Sequence, residues 1–100
     1  MRVPRTRLAD QDLFEIWSYI AEDNLDVAYR FLEKLESTFC DIFDTPKMGR
    51  SRSKDFQIDA LRSLAVGNYI IFYCLNVEDE GVTIVRVLNA AQNTRSLLGE

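Results

Sequence analysis

Three features of this 100-residue chain predict an α+β fold. Apolar residues recur at helical spacing twice between residues 7 and 44. The period then changes to two between residues 61 and 88. The segments between carry turn and breaker residues. A run of helices followed by a run of strands gives an N-terminal antiparallel helical hairpin packed on one face of a small antiparallel β-sheet, in the order (β)ααβββ.

The first helix is predicted over residues 7–22. Leu13, Ile16, Trp17 and Ile20 fall at i, i+3, i+4 and i+7, one helical face. Thr6 is placed to cap it, and Asp10, Asp12 and Glu15 crowd its first turns, where the macrodipole favours negative charge. The sequence EDNL breaks the pattern, and Asn24 can cap a second helix. Ala28, Phe31, Leu32, Leu35, Phe39, Ile42 and Phe43 carry that helix to about residue 44, where Thr45-Pro46 stops it. Two amphipathic helices joined so closely form an antiparallel hairpin, with Trp17 in its packing. Residues 46–60 lose all periodicity and read as a long connection with Gly49 and four bases, the kind of loop that is functional or mobile. LRSLAV (61–66), YIIFYCL (69–75) and VTIVRVL (82–88) are strands, with Gly67-Asn68 as one turn and NVEDEG as the other, where Gly81 is free to take φ > 0. Residues 1–5 can add a strand that Pro4 confines to an edge.

Composition removes several classes of function. The chain is 47% hydrophobic, normal for a folded protein, and one domain over residues 1–100 is expected. No apolar run approaches the ~20 residues of a membrane span. The N-terminus lacks the apolar stretch of a secretory signal, so the expected compartment is the cytoplasm. There is no histidine, and two cysteines, Cys40 and Cys74, cannot make a standard zinc site alone. Each lies in an apolar pattern, where a thiol acts as a small hydrophobe. No Gly-rich phosphate loop, nucleophile motif or metal-ligand spacing is present, so neither cofactor nor enzymatic chemistry is expected. The net charge of −4 is unevenly spread: residues 8–44 hold ten acids and two bases, whereas residues 45–62 hold five bases and two acids. The basic stretch is a candidate contact for an acidic partner.

Strand alternation then suggests a surface. The simplest assembly packs Ile70, Phe72, Val85 and Val87 beneath the helices and leaves Tyr69, Tyr73 and Arg86 on the second face. Arg62 shares parity with Leu64 and Val66, and its side depends on register. Tyrosine and arginine on a sheet, edged by a basic loop, suit a protein partner; they would also suit RNA, with rings on bases and guanidinium on phosphate.

ADQDLFEIWSYIA (9–21), AYRFLEKL (28–35), PKMGR (46–50), LRSLAVGNYIIFY (61–73) and VRVL (85–88) together resemble the ParE branch of the RelE/ParE toxin superfamily, over nearly the whole chain. These are toxins of bacterial toxin–antitoxin modules, often described as plasmid stabilisation proteins. The resemblance implies the same helical hairpin on a small sheet, a ParD-type antitoxin in a hetero-oligomer, and inhibition of DNA gyrase by protein contact, with nucleic acid engaged only through partners. The expected antitoxin- or target-binding surface, joining the sheet face, the basic loop and the tail, comprises Arg50, Arg52, Lys54, Arg62, Tyr73, Arg86, Asn89, Gln92 and Arg95. Asn89 and Gln92 stand where the family commonly carries a histidine and an arginine. Two alternatives follow: a RelE-like ribosome-dependent messenger-RNA endoribonuclease relying on Arg62 and Arg86, and a non-toxic relic that still binds antitoxin.

Overall fold

The computed structural model describes residues 2–76, 78, 80–92, 97 and 98. Helix α1 (Arg7–Ala21) begins at Thr6, whose hydroxyl accepts from the Ala9 N–H. Helix α2 (Leu25–Asp44) begins at Asn24, whose side chain accepts from the Val27 N–H. Both caps satisfy amides that a helix start leaves unpaired. Then follow β1 (Arg50–Ser51), the single-turn helix α3 (Ser53–Phe56), β2 (Leu61–Val66), β3 (Tyr69–Leu75) and β4 (Val82–Asn89). The strands form an antiparallel meander in the order β1-β2-β3-β4.

The segment expected to be a bare connection therefore holds a two-residue strand and one helical turn. Neither is long enough to show a period. Gly67 takes φ 58° in the β2–β3 turn. In the β3–β4 connection Glu80 takes φ 57°, so among the described residues the left-handed position falls one before the glycine that the sequence suggested. The N-terminal segment does lie at an edge. Arg5 bridges Ile84 in parallel, the Ile84 N–H donates to the Pro4 carbonyl, and the Thr6 N–H donates to the Ile84 carbonyl.

The assignment of sheet faces is corrected. Val66, Ile71, Tyr73, Val82, Ile84 and Val87 pack against Leu13, Ile16, Leu35, Phe39 and Ile42 of the hairpin, so Tyr73 lies under the helices. Ile70, Phe72 and Cys74 instead join Phe56, Leu61, Leu88, Ile58 and Leu98 on the other side. Two causes misled the parity argument. The second face is also covered, by α3 and Leu98, so both sides of β3 are apolar and polarity cannot tell them apart. The ladder also shifts: Phe72 pairs with Arg86 but Tyr73 pairs with Ile84. Val85 is the extra residue of a bulge, which is why Ile84 and Val87 both face the helices.

Candidate functional site

Cross-strand pairing puts Arg62 opposite Tyr73, and the two side chains act together. The Tyr73 hydroxyl donates to the Pro46 carbonyl (2.7 Å) and accepts from the Gly49 N–H (2.9 Å). Arg62 Nε donates to the Gly49 carbonyl (2.9 Å) and Nη2 to the Lys47 carbonyl (3.1 Å). The pair clamps the turn that leaves α2. Glycine is needed at 49, since a Cβ there would lie 2.6 Å from the Tyr73 hydroxyl and 2.7 Å from the Ser63 carbonyl oxygen. Tyr73 is 0% exposed, so it is not part of an outer surface.

Arg86 is equally engaged. Its Nε and Nη2 make a two-pronged contact with the Asp12 carboxylate at 2.8 and 2.9 Å, and Nη1 donates to the Leu97 carbonyl. Asp12 Oδ2 also accepts from the Val87 N–H at the outer edge of β4. The hydrogen bond to Asp12, outweighing burial, raises the already high pKa of the guanidinium, helped by the charges of Asp12 and Glu15. Sequence reasoning gave Asp12 only a macrodipole role. The missed signal is its place in the stripe Ala9, Asp12, Leu13, Ile16, all buried: a carboxylate on an apolar helical stripe requires a buried partner. Arg5 was missed too. Its side chain is 2% exposed, bonds both Glu36 carboxylate oxygens at 2.6 and 3.0 Å, and lies 4.9 Å over the Phe39 ring. No periodic context surrounds Arg5 to announce this.

The remaining expected residues divide. Arg52 bonds Asp55 (2.8 Å) and Ser63 (3.3 Å) and lies 5.0 Å over the Phe56 ring, so it braces α3. Arg50 and Lys54 are exposed, beside exposed Lys47 and Met48. Asn89 and Gln92 close a turn on themselves: the Gln92 side chain accepts from the Asn89 N–H, and the Asn89 side chain from the Ala91 N–H. Arg95 lies outside the described residues. Cys40 and Cys74 are free thiols packed in the two clusters on opposite faces of the sheet. Among the described residues no group of histidine, cysteine and carboxylate side chains could hold a metal ion, and no helix is long and apolar enough to cross a membrane.

Two grooves flank α1. A hairpin groove of about 370 Å³ is lined by Leu13, Phe14, Trp17, Tyr29 and Leu32, with Arg5 and Glu36 at one end. Phe14 stacks on the Trp17 ring and Tyr29 meets it edge-on, yet Phe14 is 66% and Tyr29 51% exposed. The buried indole Nε1 of Trp17 has no partner among the described residues. The second groove, about 510 Å³, runs between α1 and the end of β4, with Asp12, Glu15, Tyr19, Tyr69, Arg86 and Asn89 in its walls.

This helical hairpin on a four-stranded meander has a counterpart among solved structures. The chain superposes on a solved structure titled "Chromosomal ParDE TA system from P. aeruginosa" with a TM-score of 0.69, over 89% of this chain and 95% of that one; at 16% identity this likeness is one of fold. The sequence narrows the class. Residues 3–94 match the family model described as the ParE toxin of the type II toxin–antitoxin system, parDE. The chain is also 36% identical to Toxin ParE3 of Caulobacter vibrioides (strain ATCC 19089 / CIP 103742 / CB 15) over 100 residues, covering 99% of this chain and 96% of that protein. The chain belongs to the ParE family of type II toxins.

Proposed function

We propose that this toxin arrests growth by binding DNA gyrase, performs no chemistry of its own, and is neutralised by a ParD-type antitoxin. The observation that carries the non-enzymatic part is the engagement of the very side chains a nuclease would need. Arg62 is bound to the Gly49 and Lys47 carbonyls, and Tyr73 is buried on the same turn. Arg86 is paired with Asp12. A ribonuclease must offer such groups to phosphate, and with no histidine in the chain general acid–base work has few other carriers. The overall charge of −4 also works against approach to polyanionic RNA.

For the antitoxin, the hairpin groove is the favoured seat. Large exposed apolar patches mark interaction surfaces, and aromatic anchors dominate binding energy. An amphipathic segment laid across Phe14, Trp17 and Tyr29 would cover them and could offer an acceptor to the Trp17 indole. For the target, the exposed bases Arg50 and Lys54 with Lys47, and the Asn89–Gln92 turn, remain the surface of choice.

The test is supercoiling by purified gyrase from the source organism, with and without the toxin. Loss of supercoiling with accumulated cleaved DNA, reversed by the antitoxin, is expected. Full supercoiling at large molar excess would overturn gyrase as the target. Ribosome-dependent cleavage of messenger RNA in the same preparation would instead establish the nuclease. The self-closed turn of Asn89 and Gln92 favours one further reading, a toxin-fold relic that binds antitoxin without harming its host. Growth unaffected by overexpression of soluble protein would select that relic.

A further inference from the structure

Among its described residues the second groove carries one negative charge in excess. Arg86 is already held by Asp12, so these two cancel. Glu15 remains: its charge reaches Arg86 through space, but it is exposed and makes no hydrogen bond or ion pair among the described residues. Tyr19, 73% exposed, stands one turn further along α1 on the same side, and Tyr69 lines the groove from β3. One free carboxylate beside two tyrosine rings complements a single cationic side chain, which gains from the charge and from the ring faces together. The exposed acids Glu22 and Asp23 at the end of α1 extend the negative field.

The two grooves are the two flanks of one helix. Phe14 lines the hairpin groove and Glu15, its neighbour, lines the other. A helix with its side chains is about 10–12 Å across. An extended chain advances about 3.3 Å per residue, so roughly three to five residues suffice to cross it.

We propose that the groove between α1 and β4 is a second anchor for the antitoxin and receives one lysine or arginine side chain, three to five residues along the antitoxin, by that ~3.3 Å rise, from the apolar anchor seated in the hairpin groove. This rests on the antitoxin reading above. The antitoxin's toxin-binding segment thus straddles α1, apolar on one flank and basic on the other.

The test is titration calorimetry of the purified antitoxin into the toxin and into the variants Glu15→Gln, Glu15→Lys and Tyr19→Ala, with Glu33→Lys on exposed α2 surface as a control for net charge. All three positions are exposed, so the four variants are expected to keep the wild-type circular dichroism spectrum. Glu15→Gln and Tyr19→Ala should each weaken binding by about tenfold, Glu15→Lys by more, and Glu33→Lys by less than about twofold. Reversal of one basic antitoxin residue to glutamate should restore binding to Glu15→Lys, and only at the spacing given. Wild-type affinity for Glu15→Lys, or rescue at no antitoxin position, would overturn the second anchor while leaving the antitoxin reading intact. Absence of any binding by the wild-type toxin would overturn both.

Discussion

Tyr73 shows how a residue chosen for its chemistry can have a structural duty. Its hydroxyl serves as donor and acceptor within one turn, buried under the hairpin. Tyr73→Phe leaves the Gly49 N–H without its partner and should cost about 1–3 kcal/mol in urea unfolding. Gly49→Ala forces the clamp open and should cost at least as much. Asp12 belongs to the same scale: Asp12→Ala strands the Arg86 guanidinium and one edge amide, and should cost about 3–5 kcal/mol. Asp12→Ala combined with Arg86→Ala should cost less than the two separately, because the stranded charge is gone. Strictly additive losses would show that the pair is uncoupled. Burial pushes the Cys74 thiol above its ordinary value. The folded state therefore favours the neutral thiol; that contribution is present below the ordinary thiol range and is lost as pH rises through the raised folded value. Alkylation of Cys74 at pH 8, followed by mass spectrometry, should be slower in native protein than in urea. Arg62 and Tyr73 were legible as notable residues but not as a clamp. Strand period tells which way a side chain points relative to its neighbours, not which loop returns to meet it.

At the level of elements, the helices were readable almost to the residue, because a 3.6-residue stripe, a side-chain cap at each start and Thr45-Pro46 at the end all agree. The three long strands were readable for the same reason. Strand β1 and helix α3 were not, being held by Arg52, Phe56 and pairing to β2 rather than by any repeat. The bulge at Val85 was equally silent, yet it decides which side chains meet the helices. The hairpin itself carries a prediction. Phe14 and Tyr29 contribute little to the core, so Phe14→Ser and Tyr29→Ser should change stability by less than about 1 kcal/mol. They should nevertheless weaken antitoxin binding strongly and raise the solubility of free toxin. Equal antitoxin affinity, measured by calorimetry, would move the docking surface elsewhere.

Over the whole molecule, charge and apolarity are arranged to suit a protein that does not travel alone. The acidic hairpin bears the exposed aromatics, while the exposed bases Arg50 and Lys54 sit on β1 and α3, the far side of the sheet's order. Co-expression with the antitoxin should therefore raise soluble yield several-fold, as judged by the supernatant of matched lysates. The two ends of the sheet differ in a way that bears on what happens when the partner is missing. Along Ile84–Val87 the outer rim of β4 is already occupied, by Pro4, Thr6 and the Asp12 carboxylate. At the opposite end β1 offers two exposed residues, with no further strand beyond them among the described residues. A sheet that can recruit strands at both rims grows into fibres; one that can recruit at a single rim meets a second copy, closes about a two-fold axis and stops. Orphaned toxin should thus stall at pairs whenever backbone pairing is the glue, and filaments would require the N-terminal residues to peel away first.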